Sequence, residues 1–300
     1  MPTPLIYAIV VLIWGTTWFT IKFQLGVVAP EVSLVYRFGL AAVCVFAYAR
    51  ATGSPLALSL RDHRMVALQG ATLFCLNYWM TYLSTQYLTS GLVAVLFTSI
   101  IFFNLVNGRL IFGTPVERRV LLAAAAGMLG VALLFLPELQ AAMHDAAIAR
   151  GAALALLATY VASLGNMAAS RNTREGLPVV TVNAYGLAYG TAGLAVIAVL
   201  RGTPVAFDPR LPYVLSLLYL SLAGTALAFG LYLALIKRIG ASRAAYSSVL
   251  FPVVALAVST LFERYEWSLP AVVGLGVLVV GNALALGGAG RRTPQEGGRV

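Results

Sequence analysis

The stretch PEVSLVYRFGLAAVCVFAYAR, from Pro30 to Arg50, decides what kind of fold this chain can adopt. A proline opens it, about twenty mostly apolar residues follow, and an arginine closes it. A helix rises about 1.5 Å per residue, so about 20 residues cross the ~30 Å hydrocarbon layer of a bilayer. Nine further stretches read the same way, at roughly 4–22, 64–84, 89–111, 119–136, 149–170, 178–200, 211–236, 242–262 and 268–288. Turn-forming residues separate them, as in Gly113-Thr114-Pro115 and Gly202-Thr203-Pro204. The runs are about twice as long as barrel strands and do not alternate in polarity, so helices are the expected spanning element.

Composition agrees. Of 300 residues, 60% are hydrophobic and 10% charged, where a soluble domain has about 25% charged. Mean hydropathy is +0.89. No single core hides that much apolar surface. A soluble enzyme, a nucleic-acid module and a disordered chain are therefore excluded. The net charge of +10 is no nucleic-acid footprint, because the basic residues scatter through short loops. Fourteen of the twenty fall on one set of loops and ends, including Arg50, Arg61, Arg64, Arg118 and Arg238. Five fall on the other, namely Lys22, Arg150, Arg201, Arg210 and Arg264, and Arg37 is the one inside a span. The positive-inside rule then predicts that both termini are cytoplasmic, as an even number of spans requires.

Cys44 and Cys75 lie within apolar runs, which suggests neither a disulfide framework nor a metal site. The first run has no basic leader and no small-residue cleavage site, so it is expected to be retained as a span. No Gly-rich Lys loop for nucleotide phosphates occurs, and no cofactor is expected.

The two halves echo each other. Ser90-Gly91-Leu92 corresponds to Ser242-Arg243-Ala244, and Gly130-Val131-Ala132-Leu133 to Gly281-Asn282-Ala283-Leu284. Pro30 precedes the second span as Pro178 precedes the seventh. The expected organisation is an all-α membrane protein of ten helices in two five-helix repeats, residues 1–145 and 146–290, with a short polar cytoplasmic tail at 291–300. An odd number of helices per repeat inverts the second relative to the first, the arrangement of many secondary transporters.

Four motifs carry a resemblance to a known family. Trp14-Gly15-Thr16-Thr17-Trp18 lies in the first span, Tyr36-Arg37-Phe38 follows Pro30 in the second, and Phe251-Pro252-Val253-Val254-Ala255-Leu256 lies in the ninth. Glu263 then precedes Trp267 and a Gly-rich last span. Over residues 4–288 the chain resembles the drug/metabolite transporter superfamily in its ten-helix EamA-type branch, most of all the aromatic amino acid exporters. That resemblance implies a helix basket around a central cavity, with the fifth and tenth spans away from the substrate path. It also implies export of amino acids or related metabolites across the bacterial inner membrane. One departure is that Ile100 stands where the second repeat has Pro252.

Polar and aromatic residues inside spans mark a candidate substrate path, because polar groups in lipid need partners or water. The residues expected to bind substrate are Trp18, Asn77, Tyr78, Tyr82, Phe97, Ser163, Asn166, Tyr185, Tyr246 and Ser248. Rings offer contact area, and amides and hydroxyls offer hydrogen bonds to a carboxylate or amine. The alternative for each is ordinary helix packing. Arg37 and Pro252 are expected to be structural or gating residues. No Asp, Glu or His lies near the middle of a span, which favours uniport or exchange. A proton-coupled antiporter of the same fold, and a carrier of nucleotide sugars or drug-like metabolites, remain as alternatives. The expected partners are a small-molecule substrate and the bilayer, with no nucleic acid, and a monomer rather than a dimer. An intramembrane enzyme would need convergent catalytic groups, and a channel a filter or charge ring; the sequence has neither.

Overall fold

The structure is a computed structural model that describes residues 1–113, 115, 118–134, 136, 137, 140, 145–239, 244 and 247–289. The described residues form helices and no strands. Helix α1 is Thr3–Thr20, tightened at its end into a 3₁₀ turn at Ile21–Gln24, and α2 is Pro30–Ala51. Next come α3 at Leu60–Gln69, a π-helical segment at Gly70–Leu76 and α4 at Asn77–Ser84, which run on as one rod. A fourth rod is divided into α5, Ser90–Phe97, and α6, Ile100–Phe112. Then follow α7 at Arg118–Leu134, α8 at Ala146–Arg174 and α9 at Val179–Leu200. An eighth rod joins α10, Leu211–Leu218, through a second π segment at Tyr219–Leu227 to α11, Ala228–Ile239. The last two are α12, Ser247–Phe262, and α13, Leu269–Ala289.

Local chemistry sets several of these ends. Proline occupies the first turn of α1, α2 and α10, where its missing N–H costs nothing. The Ser59 side chain accepts from the Asp62 backbone N–H and caps α3, and Asp145 accepts from Ala147 N–H to cap α8. Gly113, at φ +64°, closes α6 in the left-handed conformation that side chains disfavour.

Among the described residues, six helices are long and apolar enough to cross a membrane: Thr3–Gln24, Pro30–Ala51, Ser90–Phe112, Ala146–Arg174, Val179–Leu200 and Leu211–Tyr232. Ala125–Leu134, Leu250–Phe262 and Leu269–Gly281 are shorter apolar helices. The chain is thus a multi-span membrane protein.

Packing follows a pattern of exchange about 150 residues apart. Helix α2 packs on α9, and α7 on α13. Helix α1 packs on α12 and on the eighth rod, just as α8 packs on the fourth and third rods. The two π segments also sit about 150 residues apart in chain position. Glycines permit the closest contacts. A Cβ on Gly130 would fall 2.5 Å from Leu278 N, and one on Gly274 would fall 2.6 Å from Leu134 N, so α7 and α13 touch backbone to backbone. The rods close a ring in the order α2, α9, third rod, α8, fourth rod, α12, α1, eighth rod, with α7 and α13 outside it.

Side-chain ties distinguish the two ends of the ring. Trp79 and Arg201 meet on Glu31, and Ser90 and Lys22 on Glu263, at the end opposite the N-terminus, here called the far face. His63–Tyr189, Asn172–Gln69 and Arg238 to the Met1 carbonyl lie at the N-terminal face.

Candidate functional site

A cavity of about 160 Å³ lies within the ring. Helix α1 and its 3₁₀ turn contribute Trp14, Thr17, Trp18 and Ile21, whose spacing puts them on one face. Helix α2 contributes Arg37, α4 contributes Asn77, Tyr78 and Thr81, and α5 contributes Phe97. From the second half come Gly224, Phe229 and Phe251. The rings pack closely: Trp14 meets Phe229 edge-on at 5.5 Å and Phe251 at 5.4 Å, and Trp18 meets Phe97 at 5.2 Å with the rings tilted. Gly224 lets α1 come close, since a Cβ there would meet Thr17 Cγ2 at 3.0 Å. Its carbonyl accepts a 3.1 Å bond from Trp14 Nε1. Both π segments adjoin the wall, one leading into Asn77 and the other containing Gly224. Such segments recur at functional sites because they re-aim side chains.

Arg37 is 2% exposed. Its Nη1 donates to Tyr82 Oη at 3.2 Å, and its guanidinium carbon lies 4.9 Å from the Tyr78 ring centre and 5.1 Å from that of Phe38. Its Nε has no partner. Glu31, the nearest acid in sequence, is occupied elsewhere. It accepts from Arg201 Nε at 3.1 Å, Thr203 Oγ1 at 2.6 Å and Trp79 Nε1 at 3.1 Å.

The far face carries a second charged knot. Lys22 Nζ lies 2.7 Å from Glu263 Oε1, and Glu263 also accepts from the Ser90 backbone N–H and hydroxyl. Burial alone would push the Glu263 carboxyl up, but the bonds from Lys22 and Ser90 outweigh it and hold it below the ordinary carboxylate range. Its charge also faces the positive N-terminus of α5.

A larger cavity of about 420 Å³ opens toward the N-terminal face. It lies between Cys44, Val45 and Tyr48 of α2, Val180, Asn183 and Leu187 of α9, and the eighth rod. Phe229 borders both cavities.

A family model described as the EamA-like transporter family matches the chain twice, over residues 2–136 and 149–287. The chain belongs to the EamA-like transporter family. This EamA-like chain is 27% identical over 276 residues to the "Uncharacterized inner membrane transporter YedA" of Escherichia coli K12, covering 90% of itself and 87% of that protein. It is also 27% identical over 262 residues to the "Probable amino-acid metabolite efflux pump" of Salmonella typhimurium, covering 83% of each. One solved crystal structure superposes with a TM-score of 0.68 at 17% identity, covering 97% of this chain and 99% of its own, a likeness of fold alone.

In this EamA-like transporter the wall brings together Trp18, Arg37, Asn77, Tyr78 and Phe97 of the residues singled out in the sequence. Pro252 is buried in α12 directly after the wall residue Phe251. The other described ones lie off the wall. Tyr82 is fully buried behind it, against Arg37. Ser163 accepts from Asn107 Nδ2 at 3.0 Å, and Asn166 donates to Asn104 Oδ1 at 3.4 Å, so both tie α8 to α6. Tyr185 packs on Phe46 and His63 near the N-terminal face. Ser248 is half-buried in the first turn of α12. Tyr246 lies outside the described residues. Phe229 and Gly224 join the wall without having been singled out. Their signal was the internal repeat, which makes the eighth rod the counterpart of the third.

Proposed function

We propose that this EamA-like transporter is a monomeric secondary carrier that exports aromatic or neutral amino acids, or related small metabolites, by alternating access. The carrying observation is one small chamber inside the ring, walled by rings from both halves and holding a single cation. Pockets for drug-sized ligands run to roughly 300–1,000 Å³, so a space of about 160 Å³ suits a small solute. The name of the Salmonella relative supports the substrate class.

The proposed architecture is ten spans in two inverted five-helix repeats, residues 1–145 and 146–290, followed by a short tail at 291–300. The exchange of packing partners about 150 residues apart supports it. The proposed location is the bacterial inner membrane, with the Arg-rich N-terminal face in the cytoplasm. Glycines that small-residue reading would offer to a dimer are used within the chain: Gly130 and Gly274 join α7 to α13, and Gly186 and Gly190 pack against the third rod. This supports the monomer.

Uniport or exchange is favoured over proton coupling, because no Asp, Glu or His is among the residues lining the two cavities. A nucleotide sugar would want several cations, and Arg37 is the single one on the chamber wall. The test is uptake of radiolabelled neutral amino acids into proteoliposomes, competed by unlabelled ones, with and without a pH gradient. Competition that ignores the gradient supports the proposal. Silence across that panel with a response to a nucleotide sugar overturns the substrate class.

A further inference from the structure

We propose that the chamber recognises a zwitterion, with the Arg37 guanidinium taking a carboxylate and the Asn77 side-chain oxygen taking an ammonium group. This rests on the carrier reading above and specifies its ligand.

A guanidinium stays charged at any physiological pH, and a buried cation needs compensation. Among the described residues the carboxylates in ion pairs are committed to other cations: Glu263 to Lys22, Glu31 to Arg201, Asp208 to Arg210 and Glu175 to Arg171. Arg37 is left with one phenol oxygen, two ring faces and an unbonded Nε. Ring faces and a neutral oxygen offset only part of the charge. A fork of guanidinium donors matches a carboxylate in two-point geometry.

Asn77 is 4% exposed and presents the opposite need on the same wall. Its Nδ2 donates to the Leu73 carbonyl at 3.2 Å, which fixes which way the amide points. Its Oδ1 is buried without a partner and can only accept. Two residues of one chamber wall therefore each keep a buried unpartnered polar atom, a donor on the Arg37 cation and an acceptor on Asn77. A dianion would satisfy the first and oppose the second. A lipophilic cation would do the reverse. A zwitterion satisfies both, and its apolar side chain fits the rings of Trp14, Trp18 and Phe97.

The test is equilibrium binding to the full-length protein in lipid nanodiscs, using three probes of one shape: phenylalanine, phenethylamine and 3-phenylpropionate. The wild-type protein is expected to bind phenylalanine about tenfold or more tightly than either partner lacking one charge, since bonds to charged groups dominate such discrimination. Arg37→Met should bring phenylalanine and phenethylamine within about twofold, and Asn77→Leu should do the same for phenylalanine and 3-phenylpropionate. Arg37→Lys keeps a cation without the fork. It should weaken phenylalanine about tenfold while leaving phenethylamine within about twofold, and it decides the matter if the methionine variant does not fold. Equal binding of the three probes by the wild-type protein, no binding of any, or equal weakening of phenylalanine and phenethylamine by Arg37→Lys overturns the assignment. Uptake by the same protein variants reconstituted into proteoliposomes separates the two readings. Transport of a solute that is not a zwitterion would remove the zwitterion alone, whereas no transport of any solute would remove the carrier.

Discussion

The fourth rod and its counterpart in the second half, α12, pass the chamber differently, one broken beside its wall residue and the other continuous. Helix α12 runs unbroken from Ser247 to Phe262 with Pro252 inside it, directly after the wall residue Phe251. The fourth rod has Ile100 at that place, yet it stops at Phe97, also a wall residue, and restarts at Ile100. Two hydroxyls bond back to the helix at the break. Thr98 Oγ1 donates to the Val95 carbonyl at 2.6 Å, and Ser99 Oγ to the Leu96 carbonyl at 2.7 Å. Such back-bonding competes with the helix ladder and bends it. The fourth rod is therefore interrupted without a proline, at the place where α12 carries one and stays continuous.

The two pieces of the fourth rod differ as well. In α5 every residue from Ser90 to Leu96 is buried, and Gly91 faces Leu256 and Ser259 of α12. In α6 only Asn107 is buried. The contacts with α12 belong to α5, and α6 turns instead to α8. Among the described residues, the fourth rod is thus joined to α12 through the half nearer the far face.

Wedging α5 from α12 should have the largest effect on this comparison. A Cβ at Gly91 would fall 2.9 Å from Ser259 Cβ and 3.0 Å from Leu256 Cδ2. Gly91→Val is expected to cost about 2–3 kcal/mol by overpacking, read as a lower melting temperature in detergent. A melting temperature equal to the wild type would mean that the two rods are not held at this point.

Glu263→Gln, which removes the Lys22 bridge and the charge at the start of α5, comes next. A buried pair broken on one side costs about 3–5 kcal/mol, and partial exposure of Lys22 reduces this to about 2. An impermeant maleimide added at the far face should label Thr17→Cys faster in this variant, in a chain with Cys44 and Cys75 replaced. The pH dependence has a definite sign. The folded carboxyl ionises below its unfolded value, so the bridge contributes fully above the ordinary carboxylate range and is lost as pH falls through the folded value. The melting difference between wild type and variant should be constant from about pH 6 to 8 and shrink below about pH 4.

A third test removes the hydroxyls. Thr98→Val with Ser99→Ala should cost less than about 1 kcal/mol in stability. Uptake should fall several-fold, because a straighter fourth rod moves Phe97 on the chamber wall. Unchanged uptake would separate the bend from function.

The last test sets two prolines against each other, the first at Ile100. Ile100 is the first residue of α6, where proline is tolerated, so the cost should stay near 1 kcal/mol. Proline in the middle of α5, as in Val93→Pro, should cost about 3 kcal/mol or more. Equal destabilisation by the two prolines would contradict the observed break.

Much of the fold was legible in the residues. The apolar run from Pro30 to Arg50 appears as α2, and the spacing of Trp14, Thr17 and Trp18 put them on one face. The candidate site was legible in part. Asn77 and Ser163 look alike in sequence, each a polar residue inside an apolar helix. Only Asn77 reaches the chamber, because Asn107 already occupies Ser163. The π segments carry no clear sequence mark, and they set which residues of the third and eighth rods face inward.

Hydropathy adds up along a single helix, so the amino-acid order alone determined that this chain lives in lipid as a series of apolar rods. It also determined where proline and glycine end them, and that a lone arginine sits among them. Which polar groups found partners was decided by the tertiary structure. Glu31 lies six residues before Arg37, yet its partners are Trp79, Arg201 and Thr203, the latter two about 170 positions away. Pairing across that separation depends on which face of each rod turns toward which neighbour, and only packing in three dimensions settles it.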